Sequence, residues 1–168
     1  MTLNTRIAVD LAAVLQNALD LGQAELPISL DVAYRWPSGT TADKADKLWS
    51  DHRTINASSN DDLDLAGSLS DGLGGTITFA RIKAMLVRAA RGNANNVIVG
   101  GGASNQFINW VADATDKIIV RPGGLLLLVA PDATGYPVTA STGDILRVAN
   151  SGAGSSVDYD IVLIGASA

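Results

Sequence analysis

Residues 116–165 read DKIIVRPGGLLLLVAPDATGYPVTASTGDILRVANSGAGSSVDYDIVLIG, and this last third of the chain decides the fold. Short apolar runs alternate with clusters of Gly, Pro, Asn, Asp and Ser, a spacing typical of antiparallel sheets with tight connections. We predict a turn at residues 121–124, where a proline precedes two glycines. We predict four strands here, at residues 118–120, 125–129, 145–148 and 157–164.

Upstream, residues 28–36 alternate apolar and polar side chains and predict a strand with one apolar face, ended by Pro37. Further strands are predicted at residues 63–65, 82–88 and 97–99, with a helix from Thr78 as the alternative for the second. About eight strands with turns roughly every ten residues indicate a mainly β fold, an antiparallel β-sandwich or jelly roll. We expect one β-rich domain over residues 1–168, with Asp158, Asp160 and the tail at residues 165–168 facing solvent.

Two segments are harder to interpret. In residues 1–22 the apolar positions fit a helical stripe, but Ile7, Val9 and Leu11 also alternate as in a strand. We therefore expect residues 1–27 to form an arm or a short helix, and both alternatives stay open. Residues 38–62 are polar and predict a long excursion that holds at most a short strand from 48 to 55. Long irregular connections tend to be functional or bound to a partner.

The composition is that of a globular protein. Of 168 residues, 47% are hydrophobic and 17% are charged, which is too apolar for a disordered chain. The low charge suggests that a partner chain covers part of the surface. A net charge of −5 makes nucleic-acid binding an improbable main task. The sequence has no cysteine, so we expect neither a disulfide nor a thiolate metal site.

No targeting signal stands out. The longest apolar run, residues 125–130, is far shorter than the roughly 20 residues of a membrane span. The N-terminus has no basic segment followed by an apolar block, so we expect synthesis in the cytoplasm, no secretion and no membrane partner.

Catalytic and metal motifs are weak. His52 is the only histidine, and a Ser-His-Asp triad would have to combine it with Asp46 or Asp51. No Gly-x-Ser-x-Gly elbow accompanies it, so we interpret His52 as a surface residue and predict neither an enzyme nor a zinc site. Four oxygen-bearing residues could hold calcium but lack the EF-hand order, and a turn explains them equally well. They are Asn60, Asp61, Asp62 and Asp64.

Two other patterns have a functional and a structural interpretation. Gly100, Gly101 and Gly102 follow a predicted strand but lack the spacing of a dinucleotide fingerprint, so we interpret them as a turn that needs positive φ. Aromatic residues could form a sugar-stacking surface, although core packing or an interface is the better interpretation for Tyr34 and Trp36 on one strand face. The other candidates are Trp49, Trp110, Tyr136 and Tyr159. We predict no catalytic residue, cofactor site or metal site.

Several segments resemble small virion proteins of tailed bacteriophages, and the resemblance covers most of the chain from about Leu30. The residues that carry it are structural and include no catalytic motif. They are residues 39–55, 63–74, 77–79, 122–124, 143–146, 150 and 159–165.

The resemblance implies a non-enzymatic virion protein, most simply a capsid decoration (cement) protein that binds the major capsid protein and stabilises the head. It also implies a homo-oligomer, often a trimer. A tail or baseplate component is the alternative within that class, and a carbohydrate-binding module for host attachment is the alternative outside it.

Overall fold

The computed structural model describes residues 2–102 and 104–168, which form β-strands and connecting loops without a helix. The strands are β1 (Thr5–Leu19), β2 (Gly22–Trp36), β3 (Lys47–Ile55), β4 (Asn60–Asp64), β5 (Leu69–Ser70), β6 (Thr76–Ile77), β7 (Arg81–Ala89), β8 (Val97–Gly100), β9 (Lys117–Val120), β10 (Leu125–Val129), β11 (Tyr136–Pro137), β12 (Ile145–Asn150) and β13 (Val157–Ala166).

Two antiparallel sheets make the body of the protein. The first, called here the front sheet, has the order β10-β7-β13-β3, with β11 beside β7. The second, the back sheet, has the order β4-β12-β8-β9. Their facing sides enclose one large apolar core, to which the short β5–β6 hairpin contributes Leu69 and Ile77. The predicted antiparallel β-sandwich is therefore confirmed.

Strand β13 is the centre of the body, because it pairs with β3 on one side and β7 on the other. Val157, Tyr159, Ile161 and Leu163 alternate along it and are fully buried. A strand placed between two neighbours turns one face to the core, and this alternation supplies that face with large side chains.

The predicted strands of the last third all form, as does the strand within β7. The alternative of a helix from Thr78 is wrong. The apolar run fits a helix or a strand by itself, and pairing of β7 with β10 and β13 makes it a strand. The strand predicted at residues 63–65 lies earlier, at Asn60–Asp64.

Residues 38–62 are not mainly an excursion, which corrects the prediction. Strand β3 pairs with β13 along nine residues, and β4 begins at Asn60. The segment looks polar because β3 is an edge strand. It buries Trp49 and Ile55 and leaves its other side chains at the edge or on the outer face.

The prediction of a solvated tail is wrong for Gly165 and Ala166, which are buried within β13 and pair with β7. Asp158 and Asp160 are half-buried on the outer face of the front sheet, where both bond to neighbouring strands. Small residues at the end of a chain suggest a loose tail, but here their size lets two backbones approach closely.

The N-terminal residues form neither a helix nor part of the sandwich. Strands β1 and β2 pair only with each other, as a two-stranded antiparallel hairpin. Of the two alternatives, the arm is correct. We call residues 5–36 the arm.

Candidate functional site

The arm is amphipathic across its two faces. Its register runs from Thr5 opposite Trp36 to Leu19 opposite Gly22, and the turn consists of Asp20 and Leu21. Directly opposed residues of an antiparallel pair share a face. One face, called the apolar face, is formed by Ile7, Val9, Leu11, Ala13, Leu15, Leu19, Leu26, Ile28, Leu30, Val32 and Tyr34.

The opposite face, called the polar face, carries the charged side chains of the arm, interrupted by apolar pairs such as Val14 opposite Pro27. Arg6 lies opposite Arg35, and Asp10 lies opposite Asp31. Like charges directly opposed across two strands are destabilising unless solvent screens them. Gln16 donates from Nε2 to Glu25 Oε1 over 2.7 Å nearer the turn. Water is therefore the natural neighbour of this face, and the apolar face is the one that lacks a neighbour.

The apolar face is uncovered along most of its length. Every residue from 8 to 31 is exposed, and Leu11, Leu15 and Ile28 retain 51%, 71% and 54% exposure. At about 3.3 Å per residue, residues 8–19 extend the arm by roughly 40 Å. A sandwich body of this size is roughly 35 Å across, so the arm is about as long as the body is wide.

The base of the arm is anchored to the front sheet. Ile7 and Tyr34 pack against a small apolar cluster that includes Trp36, Ala84 and Ile164. Trp36 is buried, with the Tyr34 ring centroid 6.0 Å from its own. This cluster fixes the point at which the arm leaves the body.

A buried lysine strengthens the anchor. Lys83 Nζ lies 5.7 Å from the Trp36 ring centroid and donates to the carbonyl oxygens of Thr41 and Lys44, at 2.8 and 3.0 Å. Burial lowers the pKa of Lys83 from its ordinary value. The ammonium group thus joins the arm base, β7 and the loop after Pro37 at one point.

His52 is not part of a triad. It lies on the outer face of the front sheet, where Nδ1 is 2.7 Å from Asp160 Oδ1, and Arg88 Nη2 donates to Asp160 Oδ2 over 2.6 Å. The hydrogen bond to Asp160 raises the pKa of His52, and the same contact is the first cause of the lowered pKa of Asp160. Among the described residues no serine hydroxyl bonds to His52, and Asp46 accepts from Ser167 instead.

A single-histidine titration tests this arrangement. The NMR titration of His52 is expected to give a pKa above 6.5, and Asp160→Asn is expected to move it down toward that value. Protonated His52 is favoured in the folded chain, so its contribution to stability is present below pH 6.5 and lost as pH rises through the raised pKa. Asp10→Asn, on the distant arm, serves as the control. A His52 pKa that does not respond to Asp160→Asn would contradict the assignment.

The four residues considered for calcium are not brought together as one set: Asn60 lies beside Asp62, and Asp61 points to the other side of β4. Asp61 points toward the core edge, where it bonds to Arg53 and accepts from the Tyr159 hydroxyl over 2.8 Å. Asp62 points the other way to Arg147, whose guanidinium lowers the pKa of the carboxyl. Asp64 accepts from the backbone of Ala66. In residues 2–102 and 104–168 no group of acidic, histidine or cysteine side chains is placed to hold a metal ion.

The contact of Arg53 with Asp61 closes the edge of the sandwich. Arg53 lies on β3 of the front sheet and Asp61 on β4 of the back sheet, and Arg53 Nη1 also donates to Asp51 Oδ2 over 2.8 Å. The bond to Asp61 raises the pKa of Arg53, whereas burial is the first cause of the raised pKa of Tyr159. These groups hold the edges of the two sheets together, so we interpret their pairing as structural.

The glycine-rich turn is structural too. Gly100 and Gly101 have φ values of +100° and +68°, which confirms the positive φ that the sequence predicted for them. A Cβ at Gly100 would lie 2.6 Å from the carbonyl oxygen of Asp116. The glycines therefore allow β8 to turn closely past the start of β9, and no helix follows at Ser104.

The tryptophans do not form a sugar-stacking surface. Trp36 and Trp49 are buried, and Trp49 donates its indole N–H to the Ser70 carbonyl over 3.1 Å. Trp110 packs against the core and donates to Phe107. Stacking needs an open ring face, which buried tryptophans cannot offer.

Comparison with protein-family models, curated proteins and solved structures finds no match. The arm must therefore be judged on its own geometry. No helix in the described part of the chain has the length and apolar character to cross a membrane.

Sequence reasoning missed the pairing of β1 with β2, although a signal was present. Outward from the turn at Asp20 and Leu21, six of the fifteen opposed pairs carry the same residue type, five of them in the outer half of the arm. The same residue type recurs at mirrored positions, namely 6 and 35, 8 and 33, 9 and 32, 10 and 31, 11 and 30, and 15 and 26. Such a mirror about a two-residue turn is what a hairpin with matched faces requires.

Proposed function

We propose that this chain is a structural protein of a tailed-bacteriophage virion, a capsid decoration protein that binds the assembled head and stabilises it. The observation that carries the proposal is the arm, which extends about 40 Å from the body with its apolar face uncovered. A surface of this kind is suited to burial against other protein. The resemblance of residues 39–55 and 159–165 to phage virion proteins is the reason for proposing a phage particle as the assembly.

The charged residues of the body support a binding role. His52, Arg53, Asp61 and Asp62 are each engaged in contacts between neighbouring strands. Contacts within the chain leave the apolar face of the arm exposed. The protein is proposed to act as a homo-oligomer whose copies occupy equivalent places on the shell.

The mechanism is thermodynamic linkage. A subunit that binds the assembled lattice and not its dissociated parts stabilises the lattice by mass action, by about 2.7 kcal/mol per site at a free concentration one hundred times Kd. The arm reaches beyond the footprint of its own body, so it would let one subunit on the shell contact a neighbouring copy.

Heads prepared without this protein provide the test. Purified protein added at increasing concentration is expected to bind to saturation and to raise the melting temperature of the heads in calorimetry. Absence of binding at micromolar concentration would remove the decoration function. Immunogold labelling of complete virions is expected to mark the head, and labelling confined to the tail would favour a tail or baseplate component instead.

A further inference from the structure

We infer that the apolar face of the arm packs against the same face of the arm of a second copy, so that two arms form a small four-stranded sandwich. The inference names the partner surface within the proposed homo-oligomer and so rests on that part of the proposed function. Its argument uses the area of the face, the chemistry of the rival surfaces and the symmetry of the arm.

The area is sufficient for a stable contact. Seven large aliphatic residues on the face retain between 38% and 71% exposure. Together they uncover on the order of 600 to 700 Å², whereas the largest apolar patch of a typical monomer is roughly 300 to 600 Å². Two such faces would bury on the order of 1,200 to 1,400 Å², within the range of specific protein interfaces, roughly 1,200 to 2,000 Å².

The body cannot supply an equivalent surface. On the outer face of the front sheet, Leu86, Leu127 and Val162 near the arm base are already half-buried, and the exposed leucines Leu48 and Leu125 lie apart on its two edge strands. One row further along the sheet the residues are Arg88, Asp160 and His52, which form the charged cluster described above. An apolar face about 40 Å long would cover these charges without pairing them, at a large desolvation cost.

The arm of a second copy matches the apolar face in length, width and apolar character, which the body does not. It has the same length and width, and its face is apolar from Ile7 to Leu19 except at Asn17. Two-stranded sheets stack with their backbones about 10 Å apart when apolar side chains fill the space between them. The polar faces would then point outward into solvent, where water screens the opposed pairs Arg6–Arg35 and Asp10–Asp31.

The mirrored sequence also suits self-association. Val9, Leu11 and Leu15 on β1 have identical partners on β2, so the two rows of side chains are equivalent at these three positions. A contact between identical surfaces requires self-complementarity about a two-fold axis. Equivalent rows place similar side chains opposite each other across that axis.

The test compares opposite charges placed on the face. An acidic variant carries Leu11→Asp and Leu30→Asp, a basic variant carries Leu11→Lys and Leu30→Lys, and the matched control carries Ala12→Asp and Ser29→Asp on the polar face one residue along. All four positions are solvent-exposed, so circular dichroism is expected to show the body folded in each variant.

Sedimentation equilibrium of the full chain without heads gives the readout. The unmodified protein and the control are expected at a multiple of 17.3 kDa, and each charged variant alone at 17.3 kDa. An equimolar mixture of the acidic and basic variants is expected to associate again, because opposite charges then meet across the interface.

Three outcomes would overturn the inference. They are unmodified protein that remains monomeric at tens of micromolar, a control that dissociates as completely as the acidic variant, and a mixture of charged variants that stays monomeric. A monomer that still binds heads would assign the apolar face to the capsid and leave the decoration function standing. Oligomers that do not bind heads would support the pairing of arms and remove the decoration function.

Discussion

Leu163→Ala is expected to lower the free energy of unfolding by about 3 to 4 kcal/mol. Leu163 is fully buried at the middle of β13, between Trp49 on β3 and Met85 on β7. Truncation removes apolar contacts on the central strand and leaves a cavity that neighbours in two sheets can fill only in part. Urea unfolding followed by tryptophan fluorescence measures the change.

Leu125→Ala is the matched control, because Leu125 has the same side chain in the same sheet but is 62% exposed on edge strand β10. It is expected to cost about 0.5 kcal/mol or less. Equal losses for the two leucines would mean that β13 is not the centre of the core.

Gly165→Ala is expected to destabilise the protein by about 2 to 3 kcal/mol, through crowding. A Cβ at this position would lie 2.2 Å from the carbonyl oxygen of Arg81 and 2.7 Å from Phe79 Cδ1. Gly165 lies where the register of β13 against β7 shifts, so backbone on both strands would have to move. Thermal unfolding by calorimetry gives the loss in Tm.

Gly72→Ala controls for the general effect of the added methyl group, since nothing lies within 4 Å of a Cβ there. Its Tm is expected to stay within a few degrees of the unmodified value. If Gly165→Ala were as mild as Gly72→Ala, the close approach of β13 and β7 would be contradicted.

Local patterns were enough to predict the body. Alternation in residues 145–148 and 157–164 predicts strands wherever they pair, because one face of each must be apolar. The sandwich follows from several such strands separated by turn residues. Its charged contacts do not follow from local pattern. Arg53 meets Asp61, eight residues away, only because β3 and β4 lie in different sheets, and His52 meets Asp160 from 108 residues away.

The arm shows where local pattern fails. Leu3, Ile7, Leu11, Val14, Leu15 and Leu19 fit a helical period as well as a strand period, so residues 1–22 alone do not decide between them. The decision comes from β2, which repeats the residues of β1 at six mirrored positions. A search for mirrored residues around Asp20 and Leu21 would have found that match, whereas periodicity within one strand could not.

The prediction of a solvated tail was wrong at Gly165 and Ala166 for a different reason. Small residues at a terminus are compatible with a frayed tail, and only the backbone of β7 beside them makes their size a requirement. Close approach of two backbones leaves no mark on the composition of either segment, so the sequence offered no signal for it.

The exposure of the arm has an evolutionary consequence. Residues such as Leu15 and Ile28 touch little within their own chain, so exchanging them for polar residues would leave the folding of a lone subunit nearly unchanged. Selection for correct folding of the subunit therefore does not act on these residues. If related sequences keep apolar side chains at these positions, selection for assembly and not for folding is the reason.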